Sequence, residues 1–138
     1  MEPAQPEGKP AAAAAPLAVP KDVLIVEDDT IIALDFEEAI RSFGVPMVRS
    51  ASSVAEALKL IDMQAPAFAL LDIGLGNETS FEVADRLAAL GVPFAIVTGY
   101  RSDAVFLSRF ANRPLLNKPY SMEALGALLA NWQALSAR

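Results

Sequence analysis

Apolar residues along this chain fall into two alternating patterns. Short unbroken runs of Val, Ile, Leu and Phe occupy 23–26, roughly 45–50, 68–71, 94–97 and 115–117. Runs of this length and make-up predict strands covered on both faces. Between them the apolar positions recur at helical steps. The first such segment runs from about Thr30 to Phe43, aligns Ile31, Leu34 and Glu38 in one row and Ile32, Phe36 and Ile40 in another, and stops at Gly44. A second opens on Ser53-Val54-Ala55-Glu56, the spacing of a capping box, and continues through Leu58 and Ile61. A third spans about Ser80 to Leu90 before Gly91, and a fourth about Ser102 to Ala111 before Asn112 and Pro114. The last starts near Ser121 and carries Leu125, Leu128, Leu129 and Trp132 toward the C-terminus.

Five repeats of strand then helix predict an α/β fold, with parallel strands joined by right-handed crossovers. Open sheets of this kind bind their ligands beyond the carboxyl ends of the strands. That is where the apolar runs give way to polar residues. Glu27 and Asp28 follow the first run, Asp72 the third, Thr98 the fourth and Lys118 the fifth. Five polar groups from four strands thus converge on one edge of the sheet. Asp29 and Thr30 fit a helix N-terminus, where acids are favoured by the dipole, and stand apart from this set.

Three carboxylates gathered at one point repel one another, and burial raises their pKa values further. A hard divalent cation resolves the conflict. Mg²⁺ takes oxygen ligands and commonly combines one or two carboxylates with waters and phosphate oxygens. An ammonium and a hydroxyl beside such a site suit the remaining oxygens of a phosphoryl group. Transfer of that group asks little more of a protein than positioning and charge neutralisation. The carboxylate nearest the centre can then act as the nucleophile and form an acyl phosphate.

Composition narrows the choice. The 138 residues are 54% hydrophobic and 20% charged, enough to build one ordinary domain. A net charge of −6, with the eleven basic residues scattered, argues against a nucleic-acid surface. There is no Cys and no His, so thiolate nucleophiles, a Ser-His-Asp triad and a histidine phosphorelay within this chain are excluded. Any histidine the chemistry requires must come from a partner. Residues 1–20 hold five of the ten prolines and a run of five alanines, which reads as a flexible tail or linker before a domain over 21–138. Neither a secretory signal nor a spanning segment is recognisable, so a soluble, cytoplasmic protein is expected.

The ordered motifs "VLIVEDD", "ALLDIG", "IVTG" and "NKPY" resemble the receiver domain of bacterial two-component response regulators, over about residues 21–137. The resemblance implies a flavodoxin-like (βα)5 three-layer sandwich with strand order 2-1-3-4-5. It implies Asp72 as phosphoacceptor, Glu27 and Asp28 as the acidic pair holding Mg²⁺, and the Gly74 carbonyl as a further ligand. Thr98 becomes the switch hydroxyl, Lys118 the partner of the phosphoryl oxygens, and the Lys118–Pro119 bond is expected to be cis. The usual switch aromatic is replaced by Leu115, and "GLGNETS" stands where a Met-Pro pair often follows the acceptor. "VPFAIVTGY" is similar to the Phe-Ala-Thr-Gly-Tyr (FATGUY-like) subgroup, with Ile96 and Val97 as departures. That similarity implies a sensor histidine kinase of the HWE or a related type, or a phosphotransfer protein, as donor. Tyr100 and the loop from Gly74 to Ser80 are candidates to take over part of the switching.

The function expected is therefore a signalling receiver that catalyses its own phosphorylation and slow dephosphorylation rather than a conventional enzyme. An alternative is a small aspartyl-phosphate phosphatase of the haloacid-dehalogenase type, which needs Asp-x-Asp after the first strand where this chain reads Glu27-Asp28-Asp29. Another is a receiver that signals without phosphorylation. No output module is expected after the last helix. Output is assigned to the face of the fourth helix, fifth strand and fifth helix, in a monomer or weak dimer. Both a free-standing regulator and the C-terminal receiver of a hybrid kinase fit.

Overall fold

The computed structural model describes residues 19–73, 80–99, 108–110 and 112–135. The chain lays down β1 (Asp22–Val26), α1 (Thr30–Ser42), β2 (Met47–Ala51), α2 (Val54–Met63), β3 (Phe68–Asp72), α3 (Phe81–Ala89), β4 (Phe94–Thr98) and β5 (Leu115–Asn117). Two further helices follow, here α4 (Met122–Ala130) and α5 (Trp132–Leu135). All strand pairs are parallel, in the order β2-β1-β3-β4-β5. The expected flavodoxin-like order is therefore observed. The expected tail, residues 1–20, lies outside the described residues except for its last two, and the expected fourth helix does so except for residues 108–110.

The strands are apolar throughout because neighbouring residues serve different cores. Leu24, Val26, Ala69, Leu71, Phe94 and Ile96 face α2 and α3, where Ala57, Ile61, Val83 and Leu87 meet them. Val23, Ile25, Phe68, Leu70, Ala95 and Val97 face the other way, against Phe36 and Ile40 of α1 and Leu125 and Leu129 of α4. A period of two on a sheet covered on both sides leaves no position for a polar residue.

Local signals explain the boundaries. The Asp29 carboxylate caps α1, accepting from the Ile31 and Ile32 amides at 2.9 and 3.1 Å. Ser53 caps α2 through the Glu56 amide at 3.1 Å. Glu56 does not close the expected box on Ser53; it reaches one residue further, to the amide and hydroxyl of Ser52. Gly44 and Gly91 follow α1 and α3 with φ of +98° and +72°, a region other residues adopt at a cost. Two boundaries differ from expectation by more than one residue. The second strand begins at Met47 because Val45 is taken into the core before pairing starts. The last helix breaks at Asn131, whose side-chain amide donates to the Ala127 carbonyl and ends α4 before Trp132.

At the amino ends of the strands, Asp22 is buried yet fully partnered. Arg49 of β2 grips it with two nitrogens, at 3.1 and 2.8 Å, and Gln64 adds a third bond at 3.0 Å. Arg49 also donates to the carbonyls of Leu60 and Gln64 at the end of α2. One guanidinium thus fastens β1, β2 and α2 at the end of the sheet opposite the acidic cluster.

Candidate functional site

Strand register sets the site. Val26 pairs with Ala51 on one side and Leu71 on the other, so Glu27 and Asp72 leave the sheet at one level. Asp72 pairs with Val97, and Thr98 pairs with Asn117. Lys118 comes next, and its amide donates to the Thr98 carbonyl at 2.8 Å. The four strand ends therefore present their polar residues in a short staircase across the sheet.

Glu27 is held at both ends of the residue. Its amide donates to the Ala51 carbonyl at 2.9 Å, and its Oε2 accepts from the Asp29 amide at 3.1 Å. Asp29 is committed to capping α1, so the intervening Asp28 stands exposed at the lip of the site. Oxygens of Glu27, Asp28 and Asp72 all lie within 4.8 Å of one another. The Lys118 ammonium reaches over them, with Nζ 3.2 Å from Glu27 Oε1 and 3.2 Å from Asp72 Oδ2. Thr98 is buried beside them, and its hydroxyl donates to the Gly99 carbonyl at 3.0 Å.

The electrostatics follow from this crowding. Burial, then the hydrogen bond and charge of Asp72, push the Glu27 carboxyl up to about 7, against the smaller opposing effects of the Asp29 amide and Lys118. Burial works to lower the Lys118 ammonium, but the charges and hydrogen bonds of Asp72 and Glu27 outweigh it and hold that group above its usual value. One ammonium is thus shared by two buried acids. Glu27 Oε1 accepts no well-formed hydrogen bond even so. A buried oxygen whose neighbouring ammonium is poorly aligned to it, in a donor set made wholly of carboxylate oxygens, is what a hard cation such as Mg²⁺ would complete. The residues present fit that ion.

An open groove of about 1060 Å³ runs from Lys118 and Gly99 along α1, with Phe36, Ala39, Pro119 and Tyr120 in its wall. The Lys118–Pro119 bond is cis, as the resemblance implied. Tyr120, which sequence reading passed over, stacks on Phe36 with ring centroids 4.5 Å apart, and its hydroxyl donates to Asp35 Oδ2 at 3.3 Å. An aromatic directly after Lys-Pro was its only signal. Burial, then the charge and hydrogen bond of Asp35, raise the Tyr120 phenol above its ordinary value. Leu115 lies on the edge strand, half exposed, and supplies no ring to the site.

The expected residues Glu27, Asp28, Asp72, Thr98 and Lys118 are therefore brought together. Gly74 and Tyr100 lie outside the described residues. Ser80, expected only as the end of the loop credited with part of the switching and as the start of the third helix, is fully buried, and its hydroxyl donates to the backbone carbonyl of Asp72 at 2.6 Å. Its place before α3 reads in the sequence as a simple helix cap.

Comparison with known proteins agrees with this geometry. Residues 23–130 match the response regulator receiver domain family. The chain is 30% identical over 111 residues to the transcriptional regulatory protein PdtaR of Mycobacterium tuberculosis, covering 78% of this chain and 54% of that protein. It is 28% identical over 112 residues to the phyllosphere-induced regulator PhyR of Methylorubrum extorquens, covering 79% and 42%. It spans about half the length, or less, of these curated relatives. Among solved structures, SdrG from Sphingomonas melonis superposes with a TM-score of 0.70 at 35% identity, covering 86% of this chain and 97% of that one.

Proposed function

This chain belongs to the response regulator receiver domain family, and from that premise we propose that it accepts a phosphoryl group on Asp72 from a partner's phosphohistidine, with Mg²⁺ bound by Glu27, Asp28 and Asp72. The observation that carries the reading is Lys118 Nζ, placed 3.2 Å from both Asp72 and the otherwise undersupplied Glu27 Oε1. Bound Mg²⁺ would supply positive charge to the phosphoryl oxygens. Asp72 uses a carboxylate oxygen to form the new O–P bond as the N–P bond of the donor breaks, and the electron pair returns to the donor imidazole. Lys118 leaves its carboxylate partners to pair with a phosphoryl oxygen. The Thr98 hydroxyl turns from the Gly99 carbonyl to donate to another. In this reading the Gly74 carbonyl would be a further ligand.

The phosphohistidine donor lies outside this sequence, which contains no His. We assign it as a sensor histidine kinase of the HWE or a related type, or a phosphotransfer protein. Support comes from the "FAIVTGY" segment and its likeness to the Phe-Ala-Thr-Gly-Tyr subgroup. With the exposed Leu115 in place of a switch ring, we assign Tyr100 and the loop after Asp72 part of the response. Output through the segment 102–111, β5 and α4 completes the reading. Residues 21–138 then form the signalling domain, and 1–20 a tail or linker. No observation favours the dehalogenase-type phosphatase: Glu27-Asp28-Asp29 follows β1 where that type needs Asp-x-Asp, and Asp72 ends β3. Acetyl phosphate with Mg²⁺ should add a single phosphoryl group by intact mass, and none to Asp72→Asn. Steady hydrolysis of small phosphate esters would overturn the reading.

A further inference from the structure

We infer that Ser80 is a positioning residue for the acceptor: its hydroxyl, buried between β3 and α3, holds the peptide carbonyl of Asp72 and thereby sets where the Asp72 carboxylate stands. The inference rests on the reading of Asp72 as phosphoacceptor.

Asp72 is the last residue of β3, so its carbonyl stands where the strand leaves the sheet. A buried carbonyl requires a donor. Ser80 provides one at 2.6 Å, from a position eight residues on and with no exposed surface. The hydroxyl is diverted to do so. A serine before a helix ordinarily accepts from an amide of the first turn, as Ser53 does for α2 and Ser121 for α4. Ser80 stands in the same place before α3 and makes no such bond; its backbone, at φ −91° and ψ 13°, is not that of an ordinary cap. The first turn of α3 therefore gives up a cap and gains a hold on the acceptor's own peptide group.

That hold bears on the reaction. The side chain of Asp72 must keep one oxygen toward Lys118, 3.2 Å away, while sharing a 4.8 Å cluster with Glu27 and Asp28. Its direction is fixed by the peptide on either side. The amino side is fixed by the β3–β4 ladder and the carboxyl side by Ser80. Small displacements at a reacting atom cost rate steeply, even when the chemical groups are all retained.

The test is phosphorylation of the whole chain by acetyl phosphate and Mg²⁺, followed over a range of acetyl phosphate concentrations. Wild type would be compared with Ser80→Ala, Ser80→Cys, Ser80→Thr and Asp72→Asn, with thermal melting and Mg²⁺ affinity measured on each. Cys keeps the approximate size but donates weakly, and Thr keeps the hydroxyl. The expected result is a maximal rate about tenfold lower in Ala and Cys, corresponding to a modest misplacement. The concentration giving half that rate, and Mg²⁺ affinity, should stay within about twofold, and Thr should recover most of the rate. Should Ala fail to fold, the Cys and Thr pair makes the same comparison. Wild-type rates in folded Ala or Cys variants would overturn the inference and leave Asp72 as acceptor. Phosphorylation of Asp72→Asn would instead overturn the reading beneath it.

Discussion

Lys118 and Asp72, 46 residues apart, meet with Nζ 3.2 Å from Oδ2 because β5 ends one step beyond the level at which β4 and β3 pair. The same ammonium is 3.2 Å from Glu27. Removing it should separate two properties that a general loss of structure would move together. Lys118→Met leaves three carboxylates facing one another, which favours a cation, so Mg²⁺ affinity is expected to hold or rise. Phosphorylation should fall on the order of 10²-fold, as when a preorganised charge partner is lost. Calorimetry with Mg²⁺ and a time course with acetyl phosphate would check both signs.

The acid cluster should also write itself into stability. In the metal-free protein Glu27 is protonated up to about 7, whereas the unfolded chain releases that proton near 4.5. The folded state thus binds the proton more tightly. The contribution is fully present below pH 4.5, declines as pH rises to about 7, and is level beyond. Its ceiling is about 3 kcal/mol. Urea unfolding in the presence of a chelator, at pH 4.5 and pH 8, should show this loss in wild type. Glu27→Gln should flatten it; parallel profiles would contradict the assignment.

At the other end of the sheet the expectation is reversed, with stability lost and chemistry kept. Arg49→Ala would strand the buried Asp22 carboxylate, leaving it, among the described residues, the single side-chain bond from Gln64. Breaking a buried pair from one side costs about 3–5 kcal/mol. The urea midpoint should fall accordingly, while the phosphorylation rate of the folded fraction is unchanged.

The contact between α1's end and α4 offers a test by reversal of sign. A Cβ on Gly126 would stand 2.8 Å from Cε1 and 2.9 Å from Cζ of Phe43. Gly126→Ala should gain about 1 kcal/mol of helix propensity but lose more to the displaced ring, for a net loss of about 1 kcal/mol. In a Phe43→Ala background the obstacle is gone, and the same substitution should stabilise. Thermal melting of the four proteins checks the cycle.

Much of this architecture could be read from the chain because it is local or periodic. The five apolar runs became the five strands, and their terminal residues Glu27, Asp72, Thr98 and Lys118 met at one edge. Asp29 and Ser53 announced their helices through bonds made within three residues. What escaped was long-range or concealed. Asp22 and Arg49 are 27 residues apart and carry no mutual signature until β1 and β2 pair. Ser80 has the sequence character of a cap and the structural role of an anchor, a difference visible only once Asp72 lies beside it. Leu115 read as a vacant switch position; its exposure on the edge strand has a simpler basis, because only Leu116 of β5 faces a core.

Hydride trapping asks the chemical question most directly. After incubation with acetyl phosphate, borohydride would reduce an aspartyl phosphate to homoserine, and peptide mass mapping would locate it. Homoserine at position 72 alone, formed with Mg²⁺ and absent when the ion is chelated, is the predicted result. Homoserine at any other acid, or none at position 72 in the presence of Mg²⁺, would contradict it.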